Sequence, residues 1–313
     1  MIKEKAILYF KFLLIVLLGT ISLKGQLNEN MIAERFNMNA FNPAYVGSEG
    51  KEVFFSTRSS WQGVTGAPKV SYFSYSGSTK NNLSIGANVI SSRVFIDTRT
   101  FYTLDASYRL EMGGGKNLFL GLKAGASTKL SDIESLERIT GEANPAITDE
   151  TKGTYPVLGF GFLYKTEKFY LSGSIPNFLN PINFTDNVSF TGNEKPITYF
   201  LAGTKIPIAD NSSLNPFFST RFIPSTKNLV HFGSTLAYND FIEVGMGYKS
   251  TQYIDLLFLL KTKIGLTLGY GYDFRAKGNE VEVQKSGSEI FAKYRFNIGF
   301  PPPPPDEAPE GEE

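Results

Sequence analysis

From Lys51 to Ile298, apolar and polar residues alternate in fourteen short segments. They lie at roughly 51–60, 69–78, 82–92, 99–110, 116–128, 154–165, 168–175, 197–207, 213–223, 228–238, 241–250, 253–260, 263–275 and 287–298. In 82–92, Leu83, Ile85, Ala87 and Val89 share one face and Ser84, Gly86 and Asn88 the other. In 241–250, Ile242, Val244, Met246 and Tyr248 oppose Glu243, Gly245, Gly247 and Lys249. In 287–298, Ile290, Ala292, Tyr294 and Phe296 oppose Glu289, Lys293 and Arg295. Successive side chains of a strand point to opposite faces, so each segment reads as a strand with one oily face. The pattern predicts an all-β protein.

A soluble sandwich alternates as well, and two features separate it from a membrane barrel. Most segments run about ten residues, the length of a tilted membrane strand rather than the usual 5–6. The connections also have a parity. With the chain entering from the periplasm, the inner turns at Thr79–Asn81, Glu111–Gly115, Thr166–Glu167, Ile208–Ser212, Asn239–Asp240 and Lys261–Thr262 are short. The three longest connections, Lys129–Gly153, Pro176–Pro196 and Ala276–Ser286, all fall at the other end. Short periplasmic turns and long outer loops mark an outer-membrane barrel. Within hydrocarbon only helices and closed sheets satisfy every backbone group, and no segment after residue 26 is apolar for long enough to span as a helix. The reading is therefore a transmembrane antiparallel β-barrel of about 14 strands. Pro156 and Pro216 fall inside segments and are expected at strand ends or bulges, because proline removes a ladder donor and a closed barrel has no edge.

The N-terminus carries Lys3, Lys5 and Lys11 and then the apolar run Phe12–Leu18, with small Gly25 before Gln26, which reads as a removed signal peptide over 1–25. Residues 26–50 precede the first strand and form a plug or periplasmic segment. The barrel occupies 51–298. The tail, 299–313, contains PPPPPDEAPEGEE and reads as a disordered, proline-rich acidic extension.

Composition narrows the chemistry. Lys+Arg is 31 and Asp+Glu 30, so nothing marks a nucleic-acid binder. There is no cysteine, which removes disulfides, thiolate catalysis and cysteine zinc sites. A serine hydrolase would depend on the single histidine, His231, and that residue lies within an alternating strand beside Leu229, Gly233 and Thr235, where it reads as a wall residue. Asp132, Glu134, Glu137 and Glu142 could meet calcium but lack the fixed loop spacing. Gly159/Gly161 and Gly269/Gly271 lack the third glycine and following helix of a dinucleotide site, and Gly113–Lys116 is a turn. Inward-facing glycines such as Gly86, Gly121, Gly125, Gly161, Gly245, Gly265 and Gly271 read first as aids to sheet curvature and second as room for a plug or ligand. No enzyme activity and no cofactor is expected.

The run FNPAYVGS at Phe41–Ser48 resembles the PorP/SprF family of type IX secretion system membrane proteins of Bacteroidota. WQGVTGAPK at Trp61–Lys69 and LGLKAG at Leu120–Gly125 are similar to further blocks of that family. GYGYDF at Gly269–Phe274 with SGSEIFAKYRF at Ser286–Phe296 looks like its closing hairpin, though Glu289 follows Ser288 directly where the family pattern has an intervening histidine. The resemblance implies a fatty-acid-transporter-like outer-membrane barrel. It further implies a role in receiving or anchoring a secreted, adhesin-like surface protein, in some members for gliding motility. The partners implied are a secreted protein with a type IX C-terminal sorting domain, translocon components and outer-membrane lipid. The alternative is a channel for hydrophobic compounds such as fatty acids. Asn42, Pro43 and Tyr45 are expected to order the plug. Trp61 is an interface anchor or part of a membrane-interface girdle.

Overall fold

A computed structural model describes residues 31–78, 82–132, 151–179, 196–224, 227–276 and 286–296. The expected signal peptide, the proline-rich tail and most of the two longest loops lie outside these residues. Fifteen strands form one sheet: β1 (Glu52–Ser59), β2 (Lys69–Ser78), β3 (Leu83–Val94), β4 (Asp97–Glu111), β5 (Asn117–Ser131), β6 (Thr151–Lys165), β7 (Phe169–Ile175), β8 (Thr198–Thr204), β9 (Ile206–Ala209), β10 (Ser212–Phe222), β11 (Leu229–Tyr238), β12 (Ile242–Lys249), β13 (Tyr253–Lys261), β14 (Leu266–Arg275) and β15 (Gly287–Arg295). All pairings are antiparallel, and β15 closes onto β1 from Glu52↔Arg295 to Ser59↔Ser288. The sheet thus has no first or last strand.

β8 and β9 are two parts of one strand, which gives a closed barrel of 14 strands. Both pair with β10, at Phe217↔Gly203 and again at Leu214↔Ile206. Pro216 lies opposite the break. The sequence suggested a strand end or a bulge, but Pro216 lies inside β10 and stays in register with β11 at Pro216↔Ser234, the register shift against β9 falling at Ser212/Ser213. Its missing N–H interrupts the neighbouring strand instead. Pro156 likewise sits inside β6, opposite Ala126. There β7 has already ended, because β6–β7 pairing stops at Phe160↔Ile175. Among the described residues, β6 therefore has no ladder partner on that side at Pro156. β5 and β6 also run further outward than the pattern implied, pairing to Ser131↔Thr151. At the periplasmic end, Ile264 belongs to a turn closed by Gly265 at φ +91° rather than to a strand.

The faces are reversed relative to a soluble protein. Outward Leu104 and Leu122 are 70% and 68% exposed, while inward Arg221 and Glu289 are 0% exposed. Hydrocarbon is the solvent for the outer wall, where a mid-membrane Lys or Arg would cost about 2–4 kcal/mol. Outward Tyr108, Phe169, Tyr238, Phe241, Tyr294 and Phe296 cluster at the ends near the short turns, as an interfacial aromatic girdle does. The core lies inside the barrel. Met31, Ile32, Ala33, Ala40 and Phe41 of the N-terminal segment pack with wall residues Phe54, Val70, Tyr72, Ile90, Leu257, Leu259 and Phe291.

Candidate functional site

Residues 31–50 enter the lumen and fold into three short 3₁₀ turns, Glu34–Phe36, Met38–Ala40 and Pro43–Tyr45. The last turn is set locally. Asn42 caps it by accepting the Ala44 N–H at 2.9 Å, and Pro43 occupies the first helical position. The same Asn42 amide donates to the Phe162 carbonyl at 3.0 Å and to the Gly173 carbonyl at 3.4 Å. One side chain therefore both starts the turn and fixes it to β6 and β7.

The wall beneath this turn is a row of small residues. Ser84, Ser107, Gly121, Gly161 and Ser174 are ladder partners in succession from β3 to β7. Ser107 donates to the Ala44 carbonyl at 3.2 Å and Ser174 to the Phe41 carbonyl at 2.9 Å. A Cβ on Gly121 would lie 2.2 Å from the Ala44 nitrogen, and one on Gly161 2.2 Å from Asn42 Oδ1. These two glycines make room for the plug. Gly271 does the same for Ile32, whose Cγ2 would lie 2.7 Å from an added Cβ.

Ion pairs hold the rest of the segment. Glu34 meets Arg221 at 3.0 Å, and that guanidinium lies over Phe41 and Tyr199. Arg35 reaches Glu243 at 3.1 Å and donates to Thr235 at 2.8 Å, while Lys261 meets the second Glu243 oxygen at 2.6 Å. Glu289 accepts the N–H groups of Ile32 at 2.6 Å and Ala33 at 3.2 Å. Lys123 donates to the Asn39 carbonyl at 3.4 Å and pairs with Asp105 at 3.0 Å. Ion pairs or hydrogen bonds from the plug and the wall offset the burial of these charges. At the periplasmic rim, Glu49 pairs with Lys165 and with Arg295. Withdrawal from water works against the Glu49 charge, but Lys165, Lys293 and Arg295 outweigh it and hold the carboxyl below its ordinary range.

The sequence-derived residues fall in two places. Asn42, Pro43 and Tyr45 sit together in the plug, with the Tyr45 hydroxyl donating to Ser172 at 3.1 Å; burial pushes that hydroxyl well above its usual range, so it acts as a neutral donor. Trp61 is far from them, half-buried in the outer loop 60–68 and left-handed at φ 53°. That loop is tied to the outer end of β15, with the Gln62 N–H on the Ser286 carbonyl at 3.1 Å and its amide on Ser288 at 2.9 Å. Sequence reasoning missed Glu34, Arg35 and Arg221; it placed Glu243 on the inner face and gave Gly121 and Gly161 room for a plug only as a second reading after sheet curvature. Charges at inward positions were visible, but their partners were not. His231 is buried in the wall, 2.9 Å from Asp255 and edge-on to Phe217. Among the described residues no three His, Asp or Glu side chains gather as metal ligands; Glu134, Glu137 and Glu142 lie outside them. A dent of about 460 Å³ lined by Ala87, Leu104, Ala106, Leu122 and Ala124 opens on the lipid side of the wall, not in the lumen.

Solved structures share this fold. The Ralstonia pickettii toluene transporter TbuX superposes with TM-score 0.50 at 10% identity, over 87% of this chain and 96% of its own. The P. putida toluene transporter TodX gives TM-score 0.48 at 9% identity, over 81% of this chain and 92% of its own. No curated protein matches the chain. The family model for the type IX secretion system membrane protein PorP/SprF matches residues 35–294, from within the plug to the penultimate residue of the last strand. The chain belongs to the PorP/SprF family of type IX secretion system membrane proteins, and it is an outer-membrane β-barrel.

Proposed function

We propose that this barrel receives or anchors a type IX-secreted surface protein by protein–protein contact at its outer rim, without catalysis. The observation that supports this is the filled lumen. Residues 31–46 occupy the interior and bond to strands on opposite sides of it, through Glu289 of β15, Glu243 of β12, Arg221 of β10, Gly173 of β7 and Ser107 of β4. A barrel stoppered by its own chain offers a partner its rim and outer loops rather than a passage. Residues 129–153 and 176–196, with the Trp61 loop, are the proposed outward contacts. The partner is a secreted, adhesin-like protein with a C-terminal sorting domain, delivered by translocon components. The assignment gives His231 a structural role, so His231→Ala should leave partner retention unchanged.

A second reading is a channel for hydrophobic compounds. It is favoured by the shared fold with a toluene transporter, and fold likeness at 10% identity speaks to architecture alone. Deletion of the gene separates the two. Loss of one surface protein with hydrocarbon and fatty-acid uptake intact supports anchoring. Normal surface proteins with reduced uptake would replace it with transport.

A further inference from the structure

Toward the outer loops, the lipid-facing side of β1 to β5 changes character in three successive ladder rows. The first row is apolar: Phe55, Phe73, Val89, Tyr102 and Ala126 are partners in succession. Two residues further out, the row reads Thr57, Ser71, Ser91, Thr100 and Thr128. Two further still, it reads Ser59, Lys69, Arg93 and Thr98. The hydroxyls bond sideways along their row, Ser91 with Thr100 at 3.1 Å and Thr57 with Ser71 at 3.5 Å. The wall of β11–β14 is different. Beside its outer connections the lipid-facing positions carry rings, Phe232, Tyr248, Tyr272 and Phe274, with the first two 5.6 Å apart.

Lys69 and Arg93 are direct ladder partners, and both are exposed. Side chains directly opposite across a ladder have Cβ atoms about 4.5–5.5 Å apart, and like charges there destabilise the sheet. Among the described residues no carboxylate pairs with either one. Asp97, at the start of β4, accepts the Ser131 hydroxyl instead. An anion held between the two cations turns the repulsion into attraction. Depth selects the anion. Lys69 lies four residues beyond lipid-facing Phe73, which is about 13 Å along the strand and about 10 Å along the membrane normal at a barrel strand's tilt. That is the passage from hydrocarbon to the headgroups of the outer leaflet.

We propose that Lys69 and Arg93 form a binding site for the phosphate of an outer-leaflet glycolipid, with Ser71, Ser91 and Thr100 meeting its sugar or ester oxygens. The Arg93 guanidinium can take two phosphate oxygens at once, and Lys69 sets a point charge beside it. The hydroxyl row supplies donors and acceptors where the acyl chains begin. Neither the plug nor the outer loops enter this site, so it stands apart from the anchoring function.

The test uses the full-length barrel purified in neutral detergent. The probe is diphosphorylated lipid A, with dephosphorylated lipid A as its match, and bound lipid is counted by native mass spectrometry. The parent should prefer the phosphorylated probe by about tenfold, the worth of one charge-assisted hydrogen bond. Lys69→Gln with Arg93→Gln should erase that preference. Lys116→Gln with Lys168→Gln removes two exposed cations at the periplasmic turns and should leave it intact. Should the first pair fail to assemble, Arg93→Gln read beside the charge-keeping Arg93→Lys decides: the preference should fall in the former and largely persist in the latter. Inorganic phosphate should displace the probe no better than chloride at equal ionic strength. No preference in the parent, or equal loss in the periplasmic pair, overturns the proposal. Selective displacement by inorganic phosphate also overturns it, because the pair would then serve a free anion.

Discussion

Gly121→Ala should unseat the plug. The Cβ it adds would sit 2.2 Å from the Ala44 nitrogen, 2.4 Å from the Pro43 carbonyl carbon and 2.7 Å from the Ala44 Cα. Ordinary contact begins near 3.4 Å, so the plug backbone must retreat by about 1 Å. None of the three atoms belongs to a side chain that could rotate away. Overpacking of this kind costs about 1–3 kcal/mol. Retreat also loosens the Asn42 bonds to the Phe162 and Gly173 carbonyls and the Ser107 bond to Ala44, each worth about 0.5–1.5 kcal/mol net. The sum falls on plug docking and not on the wall, since the β4–β5–β6 ladder does not involve the added methyl. The assay is single-barrel conductance in planar bilayers, read beside thermal unfolding. The parent should stay closed and Gly121→Ala should open frequently, with little change in the unfolding temperature of the barrel. Gly77→Ala is the control, because the three atoms nearest its added Cβ belong to the outward Tyr75 side chain, which can rotate away. A Gly121→Ala barrel that stays as closed as the parent would refute the reasoning that the glycine floor seats the plug.

Other perturbations address the remaining attachments. Glu289→Ala strands two buried N–H groups, at Ile32 and Ala33, at about 1–3 kcal/mol each, and heat-modifiability on gels should show a lower transition than for the parent. Arg221→Ala leaves Glu34 buried and unpaired and should cost about 3–5 kcal/mol, while the double variant with Glu34→Ala should recover part of that loss in the same assay. Ile32→Cys with Gly271→Cys joins plug to wall in a cysteine-free chain, and its oxidised form should abolish the openings caused by Gly121→Ala until reductant restores them. Because the Glu49 carboxyl is held below its ordinary range, its attachment to Lys165 and Arg295 is complete above that range and fades as pH falls through its lowered value. Protease access to residues 47–51 should accordingly rise on acidification, and Glu49→Gln should show the same access at every pH.

Alternation alone determined much of this protein. A period of two residues sorts Leu120, Leu122 and Val244 from Lys123, Glu243 and Lys249, and the lengths of the connections set which end faces outward. These are local properties, because each side chain's face follows from its neighbours along the strand. Closure of the barrel then follows from the demand that every backbone group in hydrocarbon be paired. Where local rules failed, a neighbouring strand was the cause. Pro216 remains in its strand because β8 and β9 part beside it, and Pro156 is accommodated because β7 stops short. Only the tertiary structure aligned Ser84, Ser107, Gly121, Gly161 and Ser174 into one floor, since each comes from a different strand and register, not sequence, brings them level. The same holds for Glu34 with Arg221 and for Arg35 with Glu243, pairs about two hundred residues apart. The chain's own pattern settled what faces lipid, because that depends on one residue and its immediate neighbours; which charges meet within depends on how fourteen strands and a folded-in terminus share one enclosed space.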